Sequence, residues 1–176
     1  MTSASRSLAV LLIVYLLLGL ESPLLHQLRV ALLAPDVALV AVVWLGLNFP
    51  PVAGVLTAMA VGFLKDAFVP TVPVGMHAEI FVIVFQLSRL MAGRVLVRGV
   101  ITLMVTAALV SALASGLYLL LTLLFDRSFT AYALVARLML PHALVTAPFA
   151  PFVFFLLDRV DRAFRRRGSG DMLFGS

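Results

Sequence analysis

Six long apolar stretches follow one another through this chain, at about Ser7–Leu20, Val30–Phe49, Val52–Val69, Val74–Ala92, Ile101–Phe125 and Leu134–Leu157, parted only by short polar or proline-bearing interruptions. A run of about 20 apolar residues is the length of a helix that crosses a bilayer. Within hydrocarbon a backbone must satisfy its own N–H and C=O groups, which leaves helices and closed barrels. None of the stretches alternates with the period of two that a barrel strand requires. The expectation is an all-α integral membrane bundle of about six transmembrane helices.

Composition agrees. Hydrophobic residues make up 63% of 176 positions and charged residues 12%, against roughly half and a quarter in soluble domains. The helices consume the length, so residues 1–167 read as a single transmembrane domain and 168–176 as a flexible cytoplasmic tail. The opening run, "MTSASRSLAVLLIVYLLLGLESP", lacks an A-x-A-like cleavage site and reads as a retained first helix. Pro35-Asp36 interrupts the second stretch, so its continuous part is expected to begin at Val37, and "NFPP" allows only a tight antiparallel connection to the third.

Orientation follows from the basic residues. With the N-terminus inside, Arg6, Arg94, Arg98, Arg159, Arg162, Arg165, Arg166 and Arg167 fall on the cytoplasmic side, with Arg89 close by. Arg29, Lys65, Arg127 and Arg137 fall outside, a bias of about two to one. The acids Glu21, Asp36, Asp66, Glu79 and Asp126 gather on the outer side. That balanced outer set suggests ion pairs within the protein, drawn from Asp66, Asp36, Arg29 and Arg137. The surplus of inner arginines suggests a cytoplasmic basic cluster, Arg159, Arg162, Arg165, Arg166 and Arg167, facing anionic lipid or a partner.

Little in the chain points to catalysis. Cysteine is absent, which removes thiol nucleophiles and thiolate metal sites. His26, His77 and His142 lack any metal-binding spacing, and no phosphate loop, dinucleotide fingerprint or nucleophile elbow is present. The expectation is a protein without catalytic residues, cofactor, metal or nucleic-acid partner.

Helix packing leaves a clearer trace. Gly54, Ala58, Gly62 and Asp66 recur every fourth residue and form one narrow face for close helix approach. The fifth stretch repeats the pattern with Ala108, Ala112 and Gly116, beside Ala107, Ser111 and Ser115. Two such rows exceed what one internal contact requires, so the fifth helix is the expected partner interface. Asp66 continues the first face into the bundle, whereas Lys65, ~100° away, is expected to snorkel outward. A buried carboxylate at a helix C-terminus needs partners, and Arg29, Arg137 or the backbone N–H groups of "PTVPVG" are the candidates. The pattern favours a structural anchor over a proton or substrate site.

Three stretches together resemble the MreD family, the small membrane subunit of the bacterial rod-shape machinery: "APDVALVAVVWLGL", "GVLTAMAVGFLKDAFVPTVPVGMHAE" with Gly62, Asp66, Pro73 and Gly75 in the family's order, and "PHALVTAPFAPFVFFLLDRVDR". Lys65 departs from the apolar residue expected before the aspartate. The resemblance covers most of Ala34–Arg167. It implies a non-enzymatic subunit of the inner membrane that binds the bitopic protein MreC and, through it, works with MreB, RodA and a penicillin-binding transpeptidase. It also implies a fold similar to the substrate-binding subunit of energy-coupling-factor vitamin transporters, whose function is the alternative. The first helix, "LAVLLIVYLLLGL", lacks the alanines at i, i+4 and i+8 that such a subunit would be expected to show.

Overall fold

A computed structural model describes residues 3–28, 34–69, 74–92, 99–125 and 132–170. Among the described residues the secondary structure is six helices: α1 (Ser3–Leu28), α2 (Val37–Asn48), α3 (Pro51–Phe68), α4 (Met76–Ala92), α5 (Val100–Phe125) and α6 (Tyr132–Gly170). The segments Pro51–Phe68, Val100–Leu124 and Arg137–Ala163 are long and apolar enough to cross a membrane, while Ala4–Leu20 and Val37–Asn48 are apolar but shorter. α1 is longer than the apolar run that suggested it, and α6 continues through Gly170, three residues into the segment expected to be a tail.

The centre of the bundle is α2, which touches all five other helices. Every residue from Val37 to Gly46 is buried. A helix apolar all round is a core helix, and this one explains why its sequence shows no polar face. Its 12 residues span about 18 Å, well short of the ~30 Å of a bilayer's hydrocarbon. Around it the other helices are two-faced. α1 buries Val10, Val14 and Leu18 and exposes Leu8, Leu12, Leu16 and Leu20. α5 buries Ala107, Val110 and Ala114 and exposes Val105, Leu109 and Leu113. The outward rows are as apolar as the inward ones, the pattern of a surface solvated by lipid.

Consecutive turns confirm two local expectations. α2 begins at Val37, where Asp36 caps it: its Oδ1 accepts the Leu39 N–H at 2.9 Å. The "NFPP" turn is tight, with extended Pro50 as N-cap and Pro51 opening α3, where the missing proline N–H costs nothing.

The small-residue face of α3 is used internally, against α4. A Cβ at Gly54 would collide with the Phe85 ring, and one at Gly62 with backbone atoms of His77 and Ala78. Ala58, between them, is fully buried. Gly46 on α2 gives a further close approach, to Ser88 and the α4 backbone, which the spacing of small residues did not reveal. The α5 row also faces inward in part: Gly116 lies opposite Met139 of α6, while Ala108 and Ala112 are half-buried.

One end of the bundle carries a clasp of polar groups. Arg6 of α1 pairs with Asp161 of α6 at 2.7 Å and lies 4.6 Å from the Phe49 ring centroid. The buried Trp44 indole N–H donates to Asp158 Oδ1 at 2.6 Å, and Arg89 of α4 donates to the Phe49 carbonyl at 2.9 Å. Arg6 is thus no part of the arginine surplus, since a carboxylate 155 residues away takes it up. Arg159 and Arg162 are exposed, as a basic surface requires. The side chains of Arg165, Arg166 and Arg167 lie outside the described residues, as do Arg94, Arg98, Asp126 and Arg127.

Trp44→Phe removes the donor and leaves Asp158 without it. Losing a hydrogen bond to a charged group costs about 1.5–3 kcal/mol, so the variant is expected to melt earlier in detergent. Trp44→Phe with Asp158→Leu should recover most of the loss, because replacing both partners by apolar groups is nearly neutral. Thermal denaturation of the two variants measures both effects.

Candidate functional site

At the opposite end of α2, two carboxylates and their partners occupy the space where α3 ends and α4 begins. Asp66 is buried, with its side chain only 1% exposed. Its Oδ2 accepts the Gly75 N–H at 2.7 Å, and its Oδ1 accepts the His77 N–H at 3.2 Å and meets His77 Nδ1 at 2.6 Å.

The sequence builds this clasp in three steps. Gly62 lets the backbones of α3 and α4 meet, which one helical turn later brings Asp66 to the first turn of α4. Gly75, at φ +100°, adopts a conformation that side chains disfavour, and a Cβ there would touch only Phe63 at 3.9 Å, so conformation rather than space requires the glycine. The N-terminus of α4 then offers unpaired N–H groups and the positive end of its dipole, both suited to an anion. Asp66 is unfavourably placed on its own helix and favourably placed on the next one.

Of the partners expected for Asp66, the backbone of "PTVPVG" supplies one through Gly75. Arg137 is exposed, and Arg29 lies outside the described residues. His77, which sequence reasoning left as a packed or interfacial histidine, is the side-chain partner. Its position two residues after Gly75, within the first turn of a helix, was the available signal.

Lys65 corrects a second expectation. Instead of reaching outward it turns inward and pairs with Asp36 Oδ2, its Nζ 5.3 Å from the Phe81 ring centroid. The pair is well buried, with side chains 15% and 9% exposed for Lys65 and Asp36. Asp36 thus serves α2 twice, as cap and as counter-ion. Its own N–H donates to Thr146 Oγ1 at 3.1 Å, which ties this corner to α6.

These groups border a cavity of about 220 Å³ lined by Asp36, Lys65, His77, Ser111, Ser115, Tyr118 and His142 together with apolar side chains of α4, α5 and α6. His142 Nδ1 lies 3.5 Å from Ser111 Oγ. No group of three or more histidine and carboxylate side chains with metal-binding geometry occurs among the described residues. Comparison with family models, with curated proteins and with solved structures returns no match for this chain.

Removing one partner of a buried charged contact costs about 3–5 kcal/mol. Asp66→Ala is therefore expected to lower the melting temperature in detergent strongly, and Arg137→Ala to leave it unchanged. An Arg137→Ala effect as large as that of Asp66→Ala would return Arg137 to the role of counter-ion.

Proposed function

We propose that this chain is a non-catalytic subunit of the bacterial cell-wall elongation machinery, of the MreD type, crossing the inner membrane six times with both termini in the cytoplasm. Its activity is to bind an MreC-like bitopic protein, and through it to support the peptidoglycan synthesis carried out with MreB, RodA and a penicillin-binding transpeptidase. In this reading the bundle is similar to the substrate-binding subunit of energy-coupling-factor transporters, and the exposed Arg159 and Arg162 face anionic lipid.

The observation that carries the reading is that the residues behind the resemblance work as one device. Gly62 admits α4, Gly75 turns the chain and Asp66 fastens the turn. Asp36, which opens the first matching stretch, fastens the start of α2. A motif used for helix placement suits a chain whose work is to present helix surfaces. The vitamin-transporter alternative calls for a pocket of about 300–1,000 Å³, and the cavity here is about 220 Å³.

Lipid tails supply no hydrophobic drive between helices, so a single-spanning partner must be held by close packing. The outer side of α5 suits this, since Ala112 is half-buried and Leu109 and Leu113 beside it are exposed. Gly116 is a poorer probe, because it faces Met139 within the bundle.

Co-expression with an MreC-like protein, solubilisation in mild detergent and capture of this chain should recover the partner in stoichiometric amount. Ala112→Leu should release the partner while the captured chain stays monodisperse. Recovery of the partner with Ala112→Leu would move the interface to another helix, and no recovery with the wild-type chain would overturn the assignment.

A further inference from the structure

The cavity between α3, α4, α5 and α6 has no part in the assembly reading, and it is more than a packing defect. At about 220 Å³ it has room for several waters or for a small solute.

Its wall restricts what can occupy it. Asp36 and Lys65 present one charge of each sign, already paired with each other. Asp66 lies behind His77 and is satisfied by the contacts of the α4 turn. An occupant with net charge would bring an uncompensated charge into a site of low dielectric, which is costly. A molecule carrying both signs faces no such penalty.

Capacity for further hydrogen bonds is present on both members of the pair. The Lys65 ammonium has three donors, and the Asp36 carboxylate about four acceptor sites; Leu39 and Lys65 take two of the latter. The hydroxyls of Ser115 and Tyr118, also in the wall, have no hydrogen-bond partner among the described residues. Phe81, Leu138 and Met139 supply an apolar side.

We infer that this cavity binds a small zwitterion of the size of an aliphatic amino acid, its carboxylate toward Lys65 and the Ser115 and Tyr118 hydroxyls, its ammonium toward Asp36, and its apolar part against Phe81, Leu138 and Met139. The bound charges then form two opposed pairs with no net charge added to the bundle. The inference stands on the cavity alone and is independent of the partner assignment.

The test is a titration of the full-length protein in detergent with L-alanine and with L-leucine, following the melting temperature, with acetate, methylammonium and glycerol as controls. A saturable rise is expected with at least one amino acid, half-maximal below about 1 mM, and no rise with acetate, methylammonium or glycerol. Ser115→Leu, which fills the cavity from α5, should abolish the rise, and Tyr118→Phe should weaken the half-maximal concentration about tenfold, the loss of one hydrogen bond near 1.4 kcal/mol. The wild-type titration decides the matter even if Ser115→Leu fails to fold. Absence of a rise with both amino acids overturns the inference. So does an equal rise with acetate, methylammonium or glycerol, which would make the cavity a site for single charges or for neutral solutes.

Discussion

A helix buried along nearly its whole length has backbone groups at its ends that need partners, and much of this bundle is arranged around that constraint. α2 is such a helix. At its start Asp36 takes the Leu39 N–H, and at its end Asn48 Nδ2 donates to the Trp44 carbonyl while Arg89 donates to that of Phe49. An unsatisfied backbone group in hydrocarbon costs several kcal/mol. The charged residues that serve α2 are found at the two levels where it begins and stops, and the packing between them is largely apolar, with Thr57 hydrogen-bonded to Ser7 at 2.8 Å.

Each of these groups then needs partners of its own. Asp36 brings in Lys65, and Lys65 lies over Phe81 of α4. Trp44 requires an acceptor and finds Asp158, while Asp161 one turn later holds Arg6. The two ends use different chemistry for one purpose. The Asp36 end relies on carboxylates at helix N-termini, where N–H groups and dipoles favour them, and the Asp158 end on long basic side chains and an indole that reach across.

How much of this was legible in the sequence depended on the distance between partners. The start of α2 after Pro35-Asp36, the turn at Pro50-Pro51, the small-residue face of α3 and the backbone cap from Gly75 to Asp66 are all encoded within a few residues of one another. Lys65 and Asp36 are 29 residues apart, Trp44 and Asp158 114, and Arg6 and Asp161 155. No local spacing carries those pairs. The sequence shows only that Lys65 does not face Asp66; which carboxylate it does face is fixed when α2 docks on α3. A charge count treats all arginines on one side alike, which concealed that Arg6 has a carboxylate of its own. A lone tryptophan in an apolar run, whose N–H must find an acceptor, was the one local hint of the Asp158 contact. The cavity had no sequence signature beyond Ser111 and Ser115, one turn apart on α5.

The shortness of α2 has an electrical consequence. The polar clusters at its ends are separated by about 18 Å of largely apolar packing, and the polar cavity beside Asp36 has room for water. With water reaching both clusters from opposite sides, the voltage drop of an energised membrane would be concentrated across that thinner insulating layer, and the local field would exceed the one felt by lipid tails ~30 Å thick. A full drop of 100 mV is worth about 2.3 kcal/mol on a single elementary charge. Lys65 with Asp36, and Arg6 with Asp161, would meet such a field as compact dipoles, which it can turn but not pull across.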